Sequence, residues 1–138
     1  MTIVVDAITN ELNDKLSIRG RTDIGPIGGI WRSIDIKPKL GVKYDCELFL
    51  PYIDSSEITA RQEPLSPAYT EIGIDGRIYF KGLCEAIEDD NFVVSFGSDW
   101  IECFEISGLK VKLYDSILFS IDKSEIDIYP LDVLGEGY

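Results

Sequence analysis

The sequence predicts a mainly β fold, an antiparallel meander that closes into a small barrel or sandwich of OB-like or SH3-like character. Three observations support this prediction. From residue 69 onward, short runs of β-branched and aromatic residues alternate with turn residues. Asp75-Gly76 separates two of these runs, and Asp-Gly favours tight hairpin turns that need positive φ. Within the runs, apolar residues recur at every second position, as expected of half-buried strands.

The second half of the chain divides into consecutive predicted strands. They are residues 69–74, 77–80, a further strand that runs to about residue 87, 92–96, 100–106, 113–121 and 125–129. In the last of these, Ile126 and Ile128 share one face, Glu125 and Asp127 share the other, and Pro130 ends the run. We expect residues 69–130 to form consecutive antiparallel neighbours.

The N-terminal segment fits two alternatives. Residues 6–16 fit a short helix, because Ile8, Leu12 and Leu16 are four positions apart and Asp6 is a suitable N-cap. Residues 2–5, a β-branched run, fit a strand that stops there.

The middle of the chain is marked by glycine and proline. Residues 25–29, Gly-Pro-Ile-Gly-Gly, predict a loop. Residues 31–36 and 42–50 predict a hairpin joined by residues 37–41. Residues 54–67 contain two prolines and predict a long surface connection with room for one helical turn.

Length and cysteine usage indicate one domain, residues 1–138, in the cytoplasm. A chain of 138 residues has room for one core. It shows neither a basic leader nor the roughly 20 apolar residues of a membrane span. Cys46, Cys84 and Cys103 are odd in number, widely spaced and set in apolar runs, so we expect reduced, buried and unreactive thiols. Trp100 opens a predicted strand, and we expect it in the core.

The absence of histidine limits the chemistry. It excludes Ser-His-Asp and Cys-His nucleophilic sites, histidine acid–base catalysis and most zinc sites. No phosphate-binding glycine loop or calcium-loop pattern is present. The sequence therefore predicts a protein that is not an enzyme and that carries no metal or cofactor.

Charge is the most informative feature of the composition. Residues 85–138 hold 13 acidic residues against Lys110, Lys112 and Lys123, a balance of −10 within a total of −12. Residues 15–43 carry seven basic residues against Asp23 and Asp35, a local +5. The acidic region is either an ordinary solvated face or a docking face for a basic protein. Nucleic acid is a poor partner, because phosphate binding needs a basic stripe.

Acidic residues at turns and at outward strand positions are the candidate partner-binding residues. They are Asp89, Asp90, Asp99, Glu102, Asp122, Glu125 and Asp127.

A family resemblance gives this face a function. From residues 79–83 (Tyr-Phe-Lys-Gly-Leu) to residues 128–130 (Ile-Tyr-Pro), about 50 residues, the chain is similar in cadence to small acidic immunity proteins of bacterial toxin–immunity systems, including contact-dependent inhibition. The resemblance implies an inhibitor whose carboxylates occupy the basic cleft of a toxin, with a nuclease as the leading type. It supplies no motif from which individual residues are carried over. The alternatives are a non-catalytic β-barrel ligand-binding or accessory module of a larger assembly, and a small enzyme of unrecognised type.

Overall fold

The computed structural model describes residues 1–10, 15–64, 67–97, 100–106 and 108–136, which form two β-sheets. The first sheet is a closed barrel in the order β1-β2-β3-β11-β4. Its strands are β1 (Thr2–Asn10), β2 (Leu16–Thr22), β3 (Gly25–Trp31), β4 (Val42–Phe49) and β11 (Asp127–Glu136). The predicted mainly β class is confirmed.

The second sheet has the order β5-β10-β7-β8-β9, with β6 also paired to β7. Its strands are β5 (Thr59–Arg61), β6 (Tyr69–Ile72), β7 (Arg77–Glu88), β8 (Asn91–Ser95), β9 (Ile101–Glu105) and β10 (Ser116–Asp122). Two 3₁₀ turns, Ser55–Glu57 and Lys123–Glu125, interrupt the connections before β5 and β11. Among the described residues, no helix is long and apolar enough to cross a membrane.

The predicted meander is formed from β6 to β9 and then ends. These four strands pair antiparallel in sequence order, and the turn at residues 75–76 lies where it was expected. The expectation of consecutive neighbours up to residue 130 is wrong. β6 and β8 together occupy one edge of the 12-residue strand β7, which leaves the opposite edge for β10. β11 joins the barrel, antiparallel to β4 and parallel to β3.

The predicted N-terminal helix is not formed in the described residues. β1 continues to Asn10 and pairs with β2, with Ile8 opposite Ile18. Ile3 and Val5 are fully buried, so a two-residue period governs the segment, and the spacing from Ile8 to Leu16 was misleading. Leu12 lies outside the described residues.

The glycine-rich segment is a strand rather than the predicted loop. β3 pairs along its whole length with β2 and briefly with β11. A Cβ on Gly29 would lie 2.7 Å from the carbonyl oxygen of Ile126, so glycine is needed there for close backbone approach.

The predicted hairpin of residues 31–36 and 42–50 is also wrong, although β4 lies within its second run. β3 ends at Trp31, and β11 separates β3 from β4. The Tyr44 hydroxyl fixes the connection instead, accepting from the Lys39 amide at 2.9 Å and donating to the Lys37 carbonyl at 3.1 Å. In the surface connection 54–67, a 3₁₀ turn forms as allowed, together with the unpredicted β5.

Both sheets contribute to one hydrophobic core. Ile3, Ile27 and Tyr44 from the barrel belong to the same cluster as Phe80 and Phe119 from the second sheet. Stacked aromatic rings lie beneath the second sheet, with centroid distances of 4.9 Å for Phe80–Phe119 and 4.4 Å for Phe96–Trp100. Trp100 is only 8% exposed, which confirms its predicted core position and anchors the start of β9.

Candidate protein-binding surface

One end of the second sheet is strongly acidic. Residues 82–109 contain no lysine or arginine, so their acidic residues have no neighbouring base in sequence. These acidic residues are Glu85, Glu88, Asp89, Asp90, Asp99, Glu102 and Glu105. The five that are exposed and surround the β7–β8 turn are here called the acidic tip: Glu85, Glu88, Asp89, Asp90 and Glu105.

Strand register brings the acidic tip together. Glu88 lies opposite Asn91, which in turn lies opposite Glu105, so two strand spacings of about 4.8 Å separate the two glutamates. Asp89 occupies the turn at φ 47°, a left-handed conformation that aspartate tolerates better than most residues. The carbonyl oxygen of Asp90 accepts from the Ile106 amide at 2.7 Å, holding the end of β9 against the turn.

The carboxylates of the acidic tip are not neutralised within the described part of the chain. The ion pairs found there involve other acids, Asp6, Asp45, Glu63 and Asp127. Phe92 and Phe104 pack under the tip with ring centroids 5.6 Å apart, so buried side chains support the strands that carry it. The acidic tip is therefore a cluster of carboxylates that has no ion pairs within the described residues and is held in place by buried aromatic side chains.

Two of the other predicted residues lie at the far end of β7. Asp122 is in register with Arg77, the first residue of β7, whereas Asp89 follows its last residue. At about 3.3 Å per residue, 12 residues span up to about 36 Å. Asp122 caps the 3₁₀ turn that contains Glu125, accepting from the amide and hydroxyl of Ser124 at 2.9 and 2.8 Å. These bonds hold the pKa of Asp122 below its usual value.

Asp127 has an intramolecular partner. Its Oδ1 accepts from Nε of Arg32 at 2.7 Å, and both side chains are about two-thirds buried. Ile126 and Ile128, on either side, are fully buried, and Glu125 is exposed, which confirms the predicted parity of these positions.

The seven candidates thus fall into separate places. Asp89 and Asp90 belong to the acidic tip, Asp122 and Glu125 to a remote turn, and Asp127 to an ion pair. Asp99 lies outside the described residues. Whether any of them contacts a partner stays a prediction.

Glu102 does not occupy the outward strand position that was predicted for it. It shares the inner side of β9 with Trp100 and Phe104, and its Oε1 accepts from the indole Nε1 of Trp100 at 2.8 Å. Burial raises the pKa of Glu102, and the Trp100 hydrogen bond opposes that shift. The sequence did carry a signal for this orientation: side chains alternate along a strand, so Glu102 lies on the same side as the core residue Trp100.

A groove separates β9 from β4. This β9 groove is a cavity of about 260 Å³. Its lining residues are Met1, Cys46, Glu47, Leu48, Phe49, Trp100, Ile101 and Glu102. It combines apolar side chains with the carboxylates of Glu47 and Glu102. The N-terminal ammonium of Met1 also lies there, and it is met by the Cys46 carbonyl at 3.0 Å and the Asp45 carboxylate at 3.5 Å. Sequence alone gives no sign of this groove, because β4 and β9 are distant in the chain.

A second cavity of about 590 Å³ lies beside β5 and the start of β10. Its wall includes Leu83, Leu113 and Glu63. Glu63 is paired with Arg61 at 2.9 Å and with Lys81 at 3.1 Å, and hydrogen bonding to Lys81 is the main cause of its lowered pKa. This cavity offers mostly apolar contact. Among the described residues, no three His, Cys, Asp or Glu side chains are grouped to hold a metal ion.

The cysteines follow their strand parity. Cys46 and Cys84 are buried as expected, and burial raises the pKa of Cys46 to about 12. Cys103 is exposed, so its predicted burial is wrong. It alternates with Phe104 on β9 and lies on the outer face, where Ile101 and Glu105 are also exposed.

Comparison of the chain with protein-family models, with curated proteins and with solved structures gives no match. The functional inference therefore depends on the surface itself.

Proposed function

We propose that the protein is a non-catalytic binding protein that recognises a basic protein partner through the acidic tip. In its specific form, the proposal is an immunity protein of the cytoplasm that neutralises a basic toxin, with a nuclease as the leading type. The observation that carries it is the set of five exposed carboxylates without an ion-pair partner in the described residues.

Electrostatics favours such a role for clustered, fixed charges. Carboxylates held on strands do not have to be gathered on binding, so less conformational entropy is lost. Their combined field steers a cationic surface and raises association rates by about 10 to 10³-fold. A nuclease cleft that binds phosphate is lined with cations and therefore also attracts an array of carboxylates. The free thiols Cys46, Cys84 and Cys103 are compatible with a reducing compartment.

The test is recovery of the partner from the native host at low salt, followed by direct binding measurements. The informative variant reverses charge at the tip, with Glu88, Asp90 and Glu105 changed to Lys. The matched control makes the same change in net charge at three other exposed residues. They are Glu125, in the 3₁₀ turn before β11, and Asp132 and Glu136, in β11 of the barrel. We expect the tip variant to lose at least about 100-fold in affinity, from several like-charge contacts together. The control should lose much less.

Three results would overturn parts of the proposal. A neutral or acidic partner would remove its electrostatic basis. Equal losses in both variants would show that net charge matters and the tip does not. For a nuclease partner, the wild-type protein must also block activity at near-stoichiometric amounts. Tight binding without inhibition would instead indicate an accessory module.

A further inference from the structure

β9 presents a free edge. Within the described residues it is the last strand of the second sheet and pairs with β8 alone. The amide of Phe96 donates to the Trp100 carbonyl at 2.8 Å, and the amide of Ile106 donates to the Asp90 carbonyl at 2.7 Å. Alternate residues of an antiparallel pair bond to the partner strand, so the even-numbered positions of β9 face β8.

The odd-numbered positions therefore face the open side. The backbone N–H and C=O groups of Ile101, Cys103 and Glu105 point away from β8 and make no backbone hydrogen bond elsewhere in the described part of the chain. Ile101 is 63% exposed. The free backbone groups of these three alternate residues form a short template for another strand.

Two other strand edges carry features that limit pairing with a further strand. β5 has only three residues. β11 pairs with β3 only at Asp127 and Ile128, and the part of that side beyond them begins with Tyr129 and Pro130, where proline discourages edge pairing. β9 pairs with β8 without a register shift and contains neither lysine nor proline. The negative charges of Glu102 and Glu105 discourage pairing with a neutral or acidic strand, and a basic segment is the kind of strand that this edge suits.

The β9 groove adds a chemical preference to this edge. Glu102 and Glu47 line it, and Trp100 and Leu48 supply apolar surface. Such a groove suits a lysine or arginine side chain, whose aliphatic stem packs on apolar atoms while its charge meets the carboxylates. Glu105, two residues beyond Cys103, belongs to the acidic tip, so negative charge continues along β9 from the groove to the tip.

We propose that the basic partner docks by adding an extended segment as a strand along the free edge of β9. One cationic side chain of this segment enters the β9 groove, and others meet Glu105 and the rest of the acidic tip. This inference rests on the proposed function and names the part of the partner that is bound. A second copy of this chain is a poor occupant, because β9 of each copy carries the acidic residues Glu102 and Glu105 and no lysine or arginine to balance those of the other.

The test uses the full-length protein and two synthetic peptides of equal charge. One is a ten-residue peptide that alternates Lys with Val and Thr; the other has the same sequence with Pro in place of every Val. Amide hydrogen exchange is measured by NMR with and without each peptide. We expect the alternating peptide to slow exchange about tenfold at Ile101, Cys103 and Glu105, whose amides become hydrogen-bonded. The proline peptide should not.

Variants supply the controls. Cys103→Pro removes an amide that faces outward, so β8 loses no hydrogen bond, and we expect binding of the alternating peptide to fall to that of the proline peptide. Glu102→Gln keeps the side-chain size and should lower the affinity for the alternating peptide by about three- to tenfold. If Cys103→Pro does not fold, the exchange pattern and Glu102→Gln still decide the matter.

The outcomes separate this inference from the proposed function. Equal binding of both peptides, with unprotected amides on β9, would overturn strand addition and leave recognition by the acidic tip. No binding of either peptide at low salt would contradict both proposals. A dimer in sedimentation experiments without peptide, with protection at the same three amides, would show that a second copy occupies the edge and would overturn the assignment to a basic segment.

Discussion

The indole Nε1 of Trp100 donates a 2.8 Å hydrogen bond to Oε1 of Glu102, two residues further along the chain. Because Trp100 is held in the aromatic core, this bond fixes a carboxylate at the mouth of the β9 groove. The two residues thus connect the core of the second sheet with the groove proposed to receive a cation. Burial at this point raises the pKa of Glu102.

Replacement of Glu102 by Gln should have a pH-dependent effect on stability. Because the folded-state pKa is raised, the favourable contribution of Glu102 is complete below its ordinary pKa and is lost as pH rises through the raised value. The variant should therefore gain stability relative to the wild type between about pH 4 and about pH 7. Urea unfolding of both proteins at the two pH values measures this change. A constant difference would contradict the assigned burial effect.

Cys103 should react much faster than the other two thiols. It is exposed on the outer face of β9, whereas Cys46 and Cys84 are buried and have raised pKa values, that of Cys46 to about 12. Brief treatment of the native protein with iodoacetamide, followed by peptide mass spectrometry, should find the label at Cys103 alone. Cys103→Ser should abolish rapid labelling. Comparable labelling of Cys46 would contradict its place in the core.

Gly29→Ala should destabilise the barrel. The added Cβ would lie 2.7 Å from the Ile126 carbonyl oxygen and 3.0 Å from side-chain atoms of Ile128, so β3 and the start of β11 must separate. We expect a loss of about 1–3 kcal/mol in the free energy of unfolding. Gly28→Ala is the matched control, because its Cβ meets nothing nearer than 3.4 Å. Equal losses in both variants would show that the close approach at Gly29 is not the cause.

Asp127→Asn should affect stability and leave partner binding unchanged. The Asp127 carboxylate is already paired with Arg32 at 2.7 Å, and both side chains are about a third exposed. We expect a coupling of about 0.5–1 kcal/mol between the two positions in a double-mutant cycle with Arg32→Gln, since solvent screens the pair. A large loss of partner affinity in Asp127→Asn would return this residue to the binding surface.

Local patterns in the sequence predicted much of the second sheet. The alternation that buries Phe92 and Val94 in β8 has a period of two and needs no knowledge of the partner strand. Pairing in the barrel was not predictable in this way. The glycines of β3 look like turn residues until Ile126, almost 100 positions later, is known to lie against Gly29.

The candidate surface was only partly predictable for the same reason. The excess of acid after residue 85 is visible in composition, and Asp89 and Asp90 were identified from their turn. Strand register is needed to bring Glu105 beside Glu88, and Arg32 lies 95 positions from the Asp127 that it neutralises. Sequence therefore indicates the sign of the charge but not which carboxylates remain free.

Salt should weaken partner binding mainly through the association rate. The carboxylates of the acidic tip are exposed, so their attraction for a cation acts through solvent and is screened over about 10 Å at 0.1 M salt. Raising salt from about 50 to about 500 mM should lower the association rate by at least about tenfold while dissociation changes less. Stopped-flow measurements on the wild type and on the variant with Glu88, Asp90 and Glu105 changed to Lys test this. The variant should associate slowly at both salt concentrations. An association rate that is independent of salt in the wild type would mean that contacts other than the acidic tip bring the partner to this protein.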